Sequence, residues 1–298
     1  MYFFTSENHR PVVSLPETFN LVNFSLFKKL DSAIPFRNFS IKYVGKGNET
    51  YDINGNRFPI KDGEYLLANQ HSEGRIHIDS HTEVSGICIE LMPTLIADVV
   101  ASYRRPDTAL PDPGLDVFFS SDRYPENQYH SSQTHLGKML RQLDGYISMN
   151  PHQDLIISNE IYYTLAENLI ADHIPTYRQL QNLGRIKPAT GKDLLRKVMM
   201  GKNLIEQHYR EPWDIADVAK LCCMSEYHFF RIFKKAFGIS PYQYLIDVRL
   251  NWAFQQIKQQ QQSISSIAHE TGFADLSSFS KAFSKKFGFP PSKWSESN

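Results

Sequence analysis

From Phe36 to about Leu91 apolar and polar residues alternate in short runs, the two-residue period of a half-buried strand. In FSIKYV that period puts Phe39, Ile41 and Tyr43 on one face. ETYDINGNRFPI is interrupted by Asn54-Gly55, a pair suited to the two left-handed positions of a tight hairpin turn. A two-residue turn there sets Tyr51 opposite Phe58 and Asp52 opposite Arg57, one pair for the core and one a solvated ion pair. DGEYLLANQ, RIHID and SGICIEL continue the series, which predicts a small antiparallel barrel or sandwich.

Helical spacing then takes over. Leu136, Leu140, Leu143 and Ile147 form one stripe. A second helix, from about Asp154 to Asp172, is apolar on more than one side, the pattern of a helix that needs a partner and here points to a homodimer. Pro175, Gly184, Pro188 and Gly191 make the segment from His173 to Gly191 read as a linker, and the remainder is helical. The expected fold class is α+β, an N-terminal antiparallel β-barrel with flanking helices followed by an all-α domain. The expected boundaries are 1–130 for the β-domain, 131–175 for a helical dimerisation segment, 176–191 for a linker and 192–298 for the helical domain.

Within that last domain FFRIFKKAFG, Phe229 to Gly238, returns as FSKAFSKKFG, Phe279 to Gly288. The likeness extends upstream. Asp214-Ile215 and Ser263-Ile264 each pair a helix-capping residue with an apolar one, and Val218-Ala219 and Ile267-Ala268 follow on the same face. A short turn comes next, Cys223-Met224 in one copy and Gly272-Phe273 in the other, then a second helix capped by Ser225 or Asp275. Each copy is therefore a helix, a tight turn and a helix, with an alanine where the helices cross.

On a wheel of about 100° per residue, Phe229, Ile232, Phe233, Ala236 and Phe237 gather on the core side of the second helix. Tyr227, Arg231, Lys234 and Lys235 occupy the opposite arc, and the later copy places Ser277, Lys281, Ser284 and Lys285 there. Between the copies, Ser240-Pro241 starts a helix that can run to about Lys258, roughly 27 Å long. A rod of that length can hold two such helices near the ~34 Å separation of successive major grooves.

Charge sharpens this picture. The formal net charge is zero, yet residues 192–298 carry 15 basic and 10 acidic side chains, and residues 1–191 carry 17 and 22. The excess of five positive charges lies on the part suited to a polyanion. Three cysteines, Cys88, Cys222 and Cys223, fit a reduced setting. With no basic-then-apolar leader and no apolar run near twenty residues, the expectation is a soluble cytoplasmic protein without membrane contact. Glycine-rich phosphate loops and the Gly-x-Ser-x-Gly nucleophile motif are absent. His71, His77 and His81 lie near a hairpin but lack a His-x-His with a downstream glutamate, so neither metal nor cofactor is expected. The run QQIKQQQQS reads as a solvated helix end.

DIADVAKLCCMSEYHFFRIFKKAFGISPYQYL and SISSIAHETGFADLSSFSKAFSKKFGFPPSKW together make residues 192–298 resemble the DNA-binding domain of AraC/XylS-type bacterial transcription regulators. The resemblance implies base-reading positions at Tyr227, Phe230 and Arg231 in the first copy, and at Leu276, Ser277, Ser280 and Lys281 in the second. His228, Lys234, Lys235, Ser284 and Lys285 complete the expected DNA-binding set. Arg231 can fork onto guanine O6 and N7, and Phe230 either meets a thymine methyl or caps the core edge. The later copy departs from the family at Leu276, Ser278 and Lys281, and lysine cannot make the bidentate fork. Cys223 stands where the family often has glycine.

YVGKGNETYDINGNRFPIKDGEYLLAN similarly resembles the cupin-like effector-binding domain of that family. The resemblance implies a barrel that takes a small molecule, with Tyr43 and Tyr51 as candidate pocket residues; inward tyrosines also serve as plain core. Implied partners are double-stranded promoter DNA, a small-molecule effector, a second copy of the chain and RNA polymerase. The alternative is a cupin-fold enzyme, an isomerase or oxygenase with an appended helical domain.

Overall fold

The computed structural model describes residues 1–9, 19–102, 114–151, 155–184, 188–211, 214–259 and 262–295. It divides into two compact units, Met1–Arg196 and Lys197–Asn298.

The first unit is built on a long two-stranded ribbon. Strands β1 (Tyr2–Ser6) and β2 (Leu21–Pro35) pair in parallel, and β2 runs antiparallel to β7 (Glu73–Leu91) along nearly its whole length. RIHID and SGICIEL, two segments by sequence pattern, are thus halves of one strand. A register shift between Phe27 and Lys29 breaks the ribbon into two halves with different neighbours. One half of β7 pairs with β3 (Phe39–Lys46), which continues to β6 (Glu64–Ala68) and β8 (Asn127–His130). The other half pairs with β4 (Asn48–Ile53), which forms a hairpin with β5 (Asn56–Lys61). The strands follow an open path and do not close into the expected barrel, although the cupin-like arrangement holds.

Asn54 and Gly55 both have positive φ, 49° and 76°, and close the hairpin with Tyr51 opposite Phe58 and Asp52 opposite Arg57. Tyr51 and Phe58 are buried, and Asp52 and Arg57 are exposed. Asn54 also anchors the turn: its Nδ2 donates to Glu126 Oε1 at 2.8 Å. Glu126 is buried and accepts from Ser72 Oγ (2.9 Å) and Lys192 Nζ (2.9 Å) as well.

Four helices cover one face of the sheet: α1 (Pro93–Ser102), α2 (Leu115–Ser120), α3 (His135–Met149) and α4 (Asn159–Asn182). Phe39, Ile41 and Tyr43 pack with them in a core that includes Leu136, Leu140, Ile147, Leu165, Leu169 and Ile170. Of the expected α3 stripe, only Leu143 is less than fully buried. The second apolar side of α4, which suggested a homodimer, is met inside the chain, because α4 packs on α1, α2 and α3. Its start corrects the expected position, since Asp154 lies outside the described residues and the helix begins at Asn159.

The supposed linker is also largely helical. Helix α4 continues through Pro175 to Asn182, and α5 (Pro188–His208) begins at Pro188. Pro175 sits on the exposed side while His173, Thr176 and Tyr177 are buried, so packing holds the helix past a residue that lacks an amide donor. Residues 185–187 of that segment lie outside the described residues. The division between units falls inside α5.

In the second unit the remaining helices are α6 (Ile215–Leu221), α7 (Glu226–Phe237), α8 (Pro241–Gln259), α9 (Ile264–Glu270), α10 (Leu276–Phe287) and α11 (Pro291–Ser295). Nineteen residues give α8 a length of roughly 28 Å at 1.5 Å per residue. Gln260 and Gln261 of the glutamine run lie outside the described residues.

Candidate nucleic-acid interface and effector cavity

Helices α6–α7 and α9–α10 are the two helix-turn-helix pairs. The side chains of Asp214, Ser225, Ser263 and Asp275 accept from the amides of Ala216, His228, Ser266 and Ser278, satisfying donors that each first turn leaves open. Gly238 and Gly288, at φ 79° and 81°, end α7 and α10. Ala219 and Ala268 are buried at the crossings.

On α7, Phe229, Ile232, Phe233 and Ala236 are buried, with Phe237 half-buried. The ring of Phe229 lies so close to Gly201 of α5 that a Cβ there would meet it at 2.5 Å. On α10, Phe279 and Phe283 are buried and Phe287 half-buried, the three rings following one another at centroid separations of 5.6 and 4.6 Å. These aromatic rows fix which side of each helix faces out.

The outward sides carry the expected set. Tyr227 (75% exposed), Arg231, Lys234 and Lys235 are exposed on α7, with His228 and Phe230 half-buried at its edges. On α10, Leu276 (45% exposed), Ser277, Lys281 and Lys285 are exposed, and Ser280 and Ser284 are half-buried. Arg231, Lys234, Lys281 and Lys285 form no salt bridge among the described residues. Lys286, the other lysine of the repeat, is instead tied to Asp247 of α8 at 2.7 Å. Ser278, one of the departures from the family pattern, serves the cap: its amide and its Oγ both donate to Asp275, at 2.7 and 2.9 Å. Those bonds hold the Asp275 carboxyl below its ordinary range.

The first unit contains a cavity of about 340 Å³ against the β2–β7 ribbon, lined among others by Phe27, Leu30, Lys42, Glu49, Tyr51 and Cys88. Lys42 Nζ donates to Glu90 Oε1 at 3.0 Å and lies 2.8 Å from Cys88 Sγ. Burial pulls the Lys42 ammonium down, and the Glu90 carboxylate paired with it acts in the opposite direction. Burial pushes the Cys88 thiol up to about 12, so it stays protonated at neutral pH. Tyr51 OH donates to Glu49 Oε2 at 2.6 Å. Burial lifts the Glu49 carboxyl to about 7 against the lowering effect of Tyr51 and Lys42.

Residues 35–165 match the AraC-like ligand binding domain, and residues 218–297 match a helix-turn-helix domain. The two matched domains are together those of an AraC-type transcription regulator. The "Msm operon regulatory protein" of Streptococcus mutans is 25% identical over 272 residues, covering 86% of this chain and 93% of that one. The "Probable transcriptional regulator LumQ" of Photobacterium leiognathi is 35% identical over 92 residues, covering 31% of this chain and 37% of that protein. Among solved structures, fatty-acid-bound ToxT of Vibrio cholerae is 14% identical and covers 92% of this chain and 94% of its own, with a TM-score of 0.36. The relatives of this AraC-type chain are regulators, and the isomerase or oxygenase alternative has no support among them.

Of the two tyrosines expected in the effector pocket of this AraC-type regulator, Tyr51 lines the cavity. Tyr43 points to the opposite face and packs among the helices, where burial pushes its hydroxyl up to about 12. Lys42, Glu49 and Cys88 were missed. Their signal was present in the alternation, since Lys42 shares a face with Ser40 and Val44, but that face reads as solvent until β3 is seen to be covered on both sides. Among the described residues no three metal-binding side chains gather, and no helix is long and apolar enough to cross a membrane. His71 bonds to the Ser120 carbonyl oxygen at 2.8 Å.

Proposed function

We propose that this chain is a cytoplasmic one-component regulator that reads promoter DNA in a sequence-specific manner through α7 and α10, under control of a small molecule held in the cavity of the first unit. The observation that carries the reading is the pair of outward cationic and hydroxyl stripes, each fixed by a buried phenylalanine row. Arg231 forks onto guanine O6 and N7, and Tyr227, Phe230, Ser277 and Ser280 read neighbouring base edges or methyls. Lys234, Lys235, Lys281 and Lys285 supply phosphate contacts, for which a point charge suffices. Effector control requires that the small molecule favour one arrangement of the protein over another, because equal affinity shifts nothing.

Arg231→Ala is expected to weaken binding to the cognate site by roughly 1–3 kcal/mol with little change on random DNA. Lys281→Ala should weaken both alike and reduce the slope of log K against log salt by about 0.9. Fluorescence anisotropy on a site selected from genomic fragments measures both. Equal losses on the two DNAs for Arg231→Ala would assign it to the backbone and remove the base-reading role. The Streptococcus mutans relative is by name an operon regulatory protein, which supports a target of the same kind here.

For a homodimer, the best support is the outer stripe of α3, where Gly145, Tyr146 (64% exposed) and Met149 (78% exposed) share one face. RNA polymerase is proposed as the partner through which the bound regulator acts.

A further inference from the structure

Resting on the effector reading above, we infer that the cavity of the first unit takes a small organic cation, a primary amine with an apolar body, whose ammonium pairs with Glu49. The titratable side chains lining the cavity are Lys42 from β3, Glu49 and Tyr51 from β4, and Cys88 from β7, while β1 and β2 contribute none. Among them the only base is already engaged: Lys42 lies against Cys88 and is paired with Glu90, whose carboxylate also accepts from Ser40 Oγ at 2.6 Å. An incoming carboxylate or phosphate would have to draw Lys42 away and leave Glu90 as an uncompensated buried charge, an expensive exchange.

Glu49 is in the opposite position. It is 97% buried by accessible surface, its Oε2 takes a hydrogen bond from neutral Tyr51, and its Oε1 lies over Gly86, where a Cβ would approach it to 2.6 Å. Gly86 thus leaves room for a carboxyl that has no cation bonded to it. The raised proton affinity of this carboxyl is what burial without a paired cation produces, and an ammonium supplied by a ligand would relieve it. Phe27, Leu30 and Ile87 line the same cavity and provide for an apolar body, beside the polar side chains of Thr5, Asn23, Ser25 and Ser32. A volume of about 340 Å³ sits at the small end of ligand sites, which run from roughly 300 to 1,000 Å³.

The test is calorimetric titration of the full-length protein with benzylamine, benzyl alcohol, benzoate and a neutral hexose. The first three share one apolar body and differ in charge. Benzylamine should bind tightest and benzoate not at all. Its affinity should rise about tenfold between pH 6 and pH 8 as Glu49 ionises, then level off. Glu49→Gln should weaken the amine at least tenfold and leave the alcohol unchanged. Tighter or equal binding of benzoate, benzyl alcohol or the hexose overturns the proposal, as does a pH-independent amine affinity in the unaltered protein or no amine binding at millimolar concentration. The pH series on the unaltered chain decides the matter even where Glu49→Gln fails to fold. Amine binding with no change in DNA affinity supports the ligand class and removes effector control instead.

Discussion

Cys223 and Gly272 occupy equivalent turns between the helices of the two motifs, at φ 54° and 72°. A side chain is strained in that region, and glycine is not. Cys223→Gly is therefore expected to raise stability, by up to about 1 kcal/mol, whereas Gly272→Ala should lower it by more, because its Cβ would meet the Arg249 guanidinium at 2.8 Å. Thermal denaturation of both variants checks the opposite signs. A second residue-scale prediction concerns His173, buried on α4 with its Nδ1 against the Leu169 carbonyl oxygen at 2.7 Å. Burial lowers its pKa to about 4. The unfolded chain binds the proton more readily, so the stability from this group is complete above about 6.5 and lost as pH falls toward 4. The loss amounts to on the order of 3 kcal/mol. Glu49 acts in the reverse sense, its raised pKa lending stability at acid pH that is lost as pH rises through about 7. Urea midpoints of His173→Phe and the unaltered chain at pH 7, 5 and 4 isolate the histidine: the variant should lose less.

At the scale of elements, Arg249 of α8 ties the segment after α5 to the turn of the second motif. Its Nε donates to the Tyr209 carbonyl (2.8 Å), its Nη2 to that of Glu211 (3.2 Å) and its Nη1 to that of Gly272 (3.1 Å). One buried side chain thus satisfies three carbonyls, two after the end of α5 and one in the turn before α10. Arg249→Leu should cost about 3 kcal/mol or more in the second unit, since hydrogen bonds to charged groups are each worth roughly 1.5–3 kcal/mol and the carbonyls are left unmade. Guanidinium unfolding of residues 188–298 measures it. The elements themselves were legible where local chemistry decides them: the caps, the Asn54-Gly55 turn, the α3 stripe and the Ser240-Pro241 start of α8. Strands β1 and β2 and helices α1 and α2 were not: β1 and α2 are too short to show a period, β2 loses its alternation past Leu26, and the Leu95, Ile96, Val99 and Val100 stripe of α1 spans only two turns. Pro175 misled for the opposite reason, as burial of its neighbours outweighs a local helix-breaking preference.

For the whole molecule, the two units have separate cores, one mixing sheet and helices, the other helical with Phe279 and Phe283 at its centre in the second motif. A fragment of residues 188–298 is expected to unfold in a single cooperative transition and to bind the same DNA site as the full chain without responding to any effector. Circular dichroism and anisotropy check this; a fragment that responds to the cavity ligand would place the sensor elsewhere.

The sequence by itself determined the tandem motif, its caps and turns, and the outward-facing positions of α7 and α10, because each depends on residues within about fifty positions and on helical periodicity. It also set the Tyr51–Phe58 register, which a two-residue turn dictates. Only the tertiary structure decided that the ribbon stays open, that α4 meets its partners within its own chain, and that Lys42 and Glu49 face a cavity. Alternation along a strand says which residues share a face; it cannot say whether that face meets water, a helix or an enclosed space, since that depends on segments far away in sequence.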